Sequence, residues 1–150
     1  MEYSQILERA LALIGDGNPG LFSTLGEGGY PHTRWMVPAV LPRLRGMIYA
    51  VTARGFPKAA EIEADPRAQW LFQAADFSEV ATLTGKARIV DDPLFSAEVL
   101  KAVGPNLAAF WRLNKDASAL RVIETEVESA SILYPVRAER FSAAREVSNG

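Results

Sequence analysis

The sequence predicts a mainly β fold, a six-stranded antiparallel barrel with small helices at its ends. Three observations lead to this prediction. Six segments of strand-like composition follow one another, and most connections between them are too short for the crossovers that a parallel sheet needs. The segments of helical pattern are short, and two of them begin next to a proline. The 150 residues are expected to form a single domain, since the chain contains no repeat, linker or low-complexity segment.

An amphipathic helix is predicted over about residues 2–14, because apolar side chains recur there at helical spacing. The barrel is predicted to span about residues 20–134, followed by a short C-terminal tail. The predicted strands cover residues 20–25, 32–41, 47–52, 68–74, 80–90 and 120–133. The predicted helices within this span cover residues 58–63, 93–103 and 106–113. Pro38 and Pro42 indicate that the second strand is bent or lies at an edge of the sheet.

Composition excludes several classes of function. The chain has no cysteine, which excludes disulfides, thiolate metal sites and a cysteine nucleophile, and its one histidine, His32, excludes a multi-histidine metal site. The formal net charge of −2 does not favour general nucleic-acid binding. No apolar run is long enough to span a membrane, and Glu2 and Glu8 interrupt any secretory signal. We therefore expect a cytoplasmic protein without a metal, membrane or nucleic-acid partner.

Alternation along the last predicted strand divides its residues between two faces. One face carries Ile123, Thr125 and Val127. The opposite face carries Glu124, Glu126 and Glu128. Carboxylates on one face repel each other, so we interpret this second face as solvated rather than as an acid–base site.

A local excess of positive charge marks the first candidate site. No acidic residue occurs between Glu27 and Glu61, whereas this window contains Arg34, Arg43, Arg45, Arg54 and Lys58. Within it, a strand ends at Thr52 and a helix begins with Lys58 in its first turn. A phosphate there would accept hydrogen bonds from free backbone N–H groups, the Thr52 hydroxyl and Lys58. The alternative is a solvated basic edge on which Lys58 points into water.

The second candidate is the strand segment Arg34-Trp35-Met36-Val37. A planar ligand could lie along this strand, with main-chain groups at its polar edge and Arg34 covering a heteroatom. The alternative is that the large side chains belong to the core and Arg34 is exposed.

Together, the order and spacing of these segments resemble a known superfamily. An Arg-x-x-Val strand is followed by a hairpin and by a strand ending in Thr52. Lys58 then opens a helix that ends at Asp65-Pro66, and Val-Ala-Thr-Leu-Thr-Gly-Lys-Ala-Arg-Ile follows. From about residue 20 to 133 the chain resembles the pyridoxamine 5′-phosphate oxidase-like, FMN-binding split-barrel superfamily. Within it, the chain is most similar to the short branch known as general stress proteins.

The resemblance implies a split barrel that binds FMN between the subunits of a homodimer. It implies that Arg34 to Val37 lie along the isoalloxazine edge, with Arg34 as the main side-chain contact. Val51 and Thr52 would approach the ribityl phosphate, and Lys58 would be its principal cation. The implied cofactor-binding residues, including a loop arginine, are Arg34, Trp35, Met36, Val37, Val51, Thr52, Arg54 and Lys58.

The chain departs from the full-length oxidase at two places. Pro57 stands where the oxidase has an arginine before the phosphate lysine, so either Arg54 supplies that charge from the loop or FMN is retained more weakly. The oxidase holds its substrate phosphate with a C-terminal Arg-x-His segment that has no counterpart here. Efficient oxidation of pyridoxine or pyridoxamine phosphate is therefore not expected. His32 precedes the flavin strand and is interpreted as a polar strand residue.

Three functions are compatible with this reading. The first is an FMN-dependent oxidoreductase with an unknown small-molecule substrate or electron donor, in which the flavin carries the redox chemistry and no catalytic side chain is assigned. The second is a non-catalytic flavin- or haem-binding stress or storage protein, and the third is a dimeric interaction module without a ligand. The homodimer is expected because Trp35, Trp70 and Phe72 offer more aromatic surface than one barrel needs.

Overall fold

The computed structural model describes residues 1–14, 18–53, 57–103 and 120–146. Its helices are α1 (Tyr3–Ala12), α2 (Pro57–Ala64) and α3 (Pro93–Val103). Its strands are β1 (Gly20–Leu25), β2 (Pro31–Met36), β3 (Met47–Ala53), β4 (Arg67–Gln73), β5 (Val80–Val90), β6 (Leu120–Tyr134) and β7 (Glu139–Ala144). The helix predicted over residues 106–113 lies outside the described residues.

The strands form one antiparallel sheet in the order β2-β1-β4-β5-β6-β3, with β7 also paired to β6. The first half of β6 pairs with β3 and its second half with β7. The two edge strands approach each other again where Ala39, after β2, forms a bridge to Tyr49 of β3, with N–H···O distances of 2.7 and 2.8 Å. The sheet is therefore curled without being fully closed. This confirms the predicted mainly β, antiparallel split-barrel class.

Two elements differ from the prediction. The described part of the C-terminal tail forms a seventh strand, β7, after a turn in which Ala138 adopts φ 52°. The sequence signal of β7 is weak, because the strand is short and only Phe141 and Ala143 among its residues pack on the core. Strand β2 ends at Met36 instead of residue 41, since Pro38 has no N–H to donate to the sheet and pairing resumes only at Ala39.

The core inside the barrel is organised around Trp70, which is 0% exposed. Its ring lies 4.6 Å from that of Phe22 and 5.5 Å from that of Phe72, and its indole N–H donates to the buried hydroxyl of Thr125 at 3.1 Å. Trp70 and Phe72 are thus buried in the core of the single chain. The expectation that they supply aromatic surface for a dimer is wrong. Trp35, on the outer face of β2, is 63% exposed.

A second apolar cluster lies outside the barrel, where α3 covers β3 and β6. Glu124 is buried there, and its carboxylate is satisfied by hydrogen bonds from the Tyr49 hydroxyl at 2.8 Å and from Arg88 Nε at 2.7 Å. Burial and the Glu124 contact raise the pKa of Tyr49. The predicted solvated face is therefore wrong for Glu124, whereas Glu126 is exposed and pairs with Arg145.

Two absences apply to residues 1–14, 18–53, 57–103 and 120–146. None of the helices in that part of the chain is both long enough and apolar enough to cross a membrane. No group of three or more histidine, aspartate or glutamate side chains in the same ranges could hold a metal ion.

Candidate functional site

Helix α2 lies at the end of the barrel where β1, β3 and β5 finish and β2, β4 and β6 begin. We call this region the α2 end. Pro57 starts the helix at a position where its missing N–H costs nothing, and Asp65 precedes Pro66, which disfavours further helix. Ala59 and Ile62 are the buried residues of α2. The polar side chains of α2 are thereby fixed beside the strand ends.

Thr52 is the predicted site residue at the end of β3. It lies on the inward face, alternating with Ala50 and Ile48 of the barrel core, and it is 2% exposed. Its hydroxyl is buried and has no hydrogen-bond partner among the residues that the structure describes. A buried hydroxyl without a partner is uncommon and costs free energy, so it marks a place where a ligand atom could bind.

Lys58 is the second residue of α2 and is half-buried. Burial lowers the pKa of its ammonium group and the nearby Arg34 charge lowers it further, while Glu61 acts in the opposite sense. The charged form of Lys58 is therefore disfavoured at this position compared with water. A bound anion would reverse that effect.

Arg34 extends from the inward face of β2 and is held by its neighbours. Its guanidinium donates to Thr24 Oγ1 at 2.8 Å and lies 3.4 Å from Glu61 Oε2. Glu61 also accepts from the Thr24 hydroxyl at 2.6 Å, and its second oxygen lies 2.5 Å from His32 Nδ1. Burial alone would raise the pKa of Glu61, but the hydrogen bonds from Thr24 and His32 and the charges of His32 and Arg34 hold it below its ordinary value.

His32 therefore has a specific partner that its sequence position did not reveal. Its ring also lies against Gly26, where an added Cβ would come within 2.4 Å of the imidazole. The absence of a side chain at Gly26 leaves room for the histidine ring over the β1–β2 turn. His32 is thus a polar residue of β2 whose ring pairs with the Glu61 carboxylate.

The other described side chains of the predicted set point away from the α2 end. Met36 is part of the barrel core, and Val37 and Val51 pack in the cluster beneath α3. Trp35 projects from the outer face of β2, and Arg54 is outside the described residues. The structure thus brings the side chains of Arg34, Thr52 and Lys58 to the α2 end, whereas the side chains of the other described residues of the set lie in the core, in the cluster beneath α3 or on the outer face.

Arg121 is a further residue at the α2 end that the sequence reasoning missed. It stands directly opposite Thr52 in the β3–β6 pairing, and its side chain is 21% exposed. Its Nε is buried without a partner in the described ranges. The signal was available, because alternation along β6 places Arg121 on the same inward face as Ile123 and Thr125.

Replacing Glu61 by glutamine is expected to lower the free energy of unfolding at pH 7 by about 1–3 kcal/mol, because hydrogen bonds to a charged group are lost. The folded-state pKa of Glu61 lies below its ordinary value of 4.5. The stability supplied by the ionised carboxylate is thus present above that value and is lost as pH falls through the folded-state pKa. The difference between wild type and Glu61→Gln should therefore shrink in acid.

Urea unfolding of both proteins at pH 7 and at about pH 3.5 measures this difference. Glu139→Gln, which alters an exposed carboxylate on β7, is the control and should change stability little. A Glu61→Gln variant as stable as the wild type at pH 7 would contradict the role given to this carboxylate.

The single antiparallel sheet and the position of α2 define a small split-barrel protein. Residues 6–134 match the family model described as pyridoxamine 5′-phosphate oxidase, and the chain belongs to this family. No curated protein matches the chain in sequence.

Solved structures share the fold. A protein from Clostridium acetobutylicum related to general stress protein 26 of Bacillus subtilis, of the pyridoxinephosphate oxidase family, superposes with a TM-score of 0.75 at 16% identity, covering 93% of this chain and 94% of that chain. General stress protein 26 from Bacillus anthracis gives 0.68 at 18% identity, covering 93% and 99%. A haem-binding protein from Mycobacterium smegmatis gives 0.71 at 18% identity, covering 93% and 57%.

Proposed function

We propose that this chain is an FMN-binding flavoprotein that acts as an oxidoreductase on a small molecule. The observation that carries the proposal is the buried, unpartnered hydroxyl of Thr52 at the end of β3. Five residues further along the chain α2 begins, with Lys58 in its first turn. A strand end with a free hydroxyl donor, followed by a helix start with a half-buried cation, suits the terminal phosphate of FMN.

The chemistry of the donor set fits a phosphate better than a haem iron. Arg34, Lys58 and Arg121 are cations, and Thr52 has a hydroxyl donor. Haem iron requires an axial ligand, and none of these four residues is a histidine, cysteine, methionine or tyrosine, the side chains that usually fill that position. Moreover, an anion beside Lys58 would remove the electrostatic penalty that burial and Arg34 impose on its charge.

FMN, when bound, would supply hydride and electron transfer through its ring. The chain's own residues would bind and orient it. Thr52 and Lys58 would hold the phosphate, and the α2 end would limit the access of water to that contact. Arg34 would add positive charge beside Lys58, while Glu61 and Thr24 fix the direction of its guanidinium. Arg34 and the residues that follow it along the chain to Val37 would also lie along the edge of the isoalloxazine ring, as the resemblance to the superfamily implies.

A homodimer with the flavin ring at the subunit interface completes the proposal. Its support in the structure is Trp35, a large apolar side chain exposed on edge strand β2. An exposed tryptophan beside an unpaired strand edge is typical of surface that another molecule covers. Light scattering at micromolar concentration should give the mass of a dimer, and a strict monomer would contradict this part.

A non-catalytic haem-binding protein is the second candidate. The observation that favours it is the fold shared with the haem-binding protein from Mycobacterium smegmatis. In that case the purified protein would take up haemin and show a haem absorption band, which the FMN proposal does not predict.

Titration with FMN and reduction by a nicotinamide nucleotide test the proposed function. Flavin fluorescence should be altered on binding, and the bound flavin should be reduced faster than free FMN. Binding without accelerated reduction would favour a carrier over an oxidoreductase. Absence of FMN binding by the full chain would contradict the proposal altogether.

A further inference from the structure

The α2 end holds two buried donors that face each other across a strand pair. Thr52 on β3 and Arg121 on β6 are directly opposite in the antiparallel register, so their side chains lie on the same inward face. The Thr52 hydroxyl and the Arg121 Nε are both buried, and neither has a partner among the described residues. Two adjacent unsatisfied donors are better explained by one shared acceptor than by two separate defects.

The contacts that Arg121 does make are loose. Its Nη2 lies 3.6 Å from Glu63 Oε1 and 3.7 Å from Asp91 Oδ2, both beyond ordinary hydrogen-bond length. The side chains of these two acids are 63% and 69% exposed, so water competes for their carboxylates. The guanidinium can therefore exchange them for another oxyanion at small cost.

We infer that Arg121 is a second phosphate-binding cation for the flavin, with Thr52 as its neighbouring donor. This inference rests on the proposed function and extends it to a residue outside the resemblance to the oxidase. The oxidase has an arginine immediately before its phosphate lysine, and this chain has Pro57 there. Arg121 supplies the missing guanidinium from β6, reaching α2 through its contact with Glu63. An arginine fork suits phosphate oxygens, which it binds in pairs.

Two substitutions with opposite expected signs separate this role from a structural one. Arg121→Gln removes the cation and should weaken FMN binding by roughly 10-fold or more, with riboflavin binding unchanged. The double variant Glu63→Gln/Asp91→Asn removes the competing carboxylates and should leave FMN binding unchanged or make it tighter. If Arg121 served only to anchor those two acids, the double variant would weaken FMN binding as Arg121→Gln does.

The experiment titrates FMN and riboflavin into the full chain and follows flavin fluorescence. Arg145→Gln is the matched control, because this arginine also pairs with a glutamate of β6 but lies away from α2. It should preserve the wild-type preference for FMN over riboflavin. Arg121→Lys keeps the positive charge and replaces Arg121→Gln in the experiment if that variant does not fold. It should lose part of the preference for FMN over riboflavin, because lysine lacks the Nε donor.

The outcomes distinguish the inference from the proposed function. A wild-type preference for FMN that Arg121→Gln reduces would support both. The same preference, unchanged in Arg121→Gln and Arg121→Lys, would overturn the inference and leave the proposed function standing. Equal wild-type binding of FMN and riboflavin would overturn the inference through the absence of a phosphate site, and no binding of either would overturn both.

Discussion

Replacing Lys58 by alanine is expected to weaken FMN binding roughly 10- to 150-fold. The proposed interaction is one charge-assisted hydrogen bond to phosphate in a half-buried site, worth about 1.5–3 kcal/mol, and each 1.4 kcal/mol or so is a factor of ten in affinity. Riboflavin lacks the phosphate, so its affinity should barely change. The measurement is a fluorescence titration of both flavins against wild type and variant.

The apoprotein carrying Lys58→Ala should be at least as stable as the wild type at pH 7. The folded-state pKa of Lys58 lies below its ordinary value, so the folded chain disfavours the charged form that predominates at neutral pH. This destabilisation is fully present at pH values below the folded-state pKa of Lys58, and it is lost as the pH rises from that value to the ordinary pKa of lysine. Removing the side chain also removes a cation from the positive end of α2.

Lys101→Ala is the matched control, since this exposed lysine lies in the last turn of α3. This substitution should leave the affinity for FMN and the affinity for riboflavin unchanged. Equal losses for FMN and riboflavin in Lys58→Ala would show that Lys58 does not bind the phosphate.

The largest effect on stability is expected for Trp70→Ala, which should lower the free energy of unfolding by about 3–5 kcal/mol. The indole is fully buried between Phe22 and Phe72, and its loss creates a cavity in the centre of the barrel. It also leaves the Thr125 hydroxyl without its indole donor. Denaturant unfolding followed by circular dichroism measures the change.

Trp35→Ala is the matched control, because it deletes the same side chain from an exposed position on β2. Its effect on monomer stability should be within about 0.5 kcal/mol. If Trp35 contributes to the proposed subunit interface, this variant should instead shift the dimer towards monomer in light scattering. A Trp70→Ala variant as stable as Trp35→Ala would contradict the core described here.

Much of the fold was predictable because its signals are local. Proline and glycine mark the connections, and alternation over β5 and β6 is strong enough to assign their inner faces. Strand β7 was missed because apolar and polar residues alternate only weakly along it. The strand forms by pairing with β6, which its own sequence does not show. The burial of Glu124 was missed for a similar reason, since its partners Tyr49 and Arg88 come from two other strands.

The candidate site was predictable only in part. Thr52 and Lys58 are six residues apart along the chain, so a strand–loop–helix pattern reveals them together. Arg121 reaches the same region only through the register of β3 with β6, which a linear pattern does not contain. The pairing of His32 with Glu61 likewise depends on α2 lying over the start of β2.

One competition experiment tests the central claim, a binding site for the phosphate of FMN at the α2 end, most directly. The full chain is incubated with equal amounts of FMN, riboflavin and haemin, freed of unbound ligand and gently denatured, and the released molecules are identified by mass spectrometry. We expect FMN to be retained in clear excess over riboflavin, with little haemin. Release of mainly haemin, or of FMN and riboflavin in equal amounts, would contradict the account.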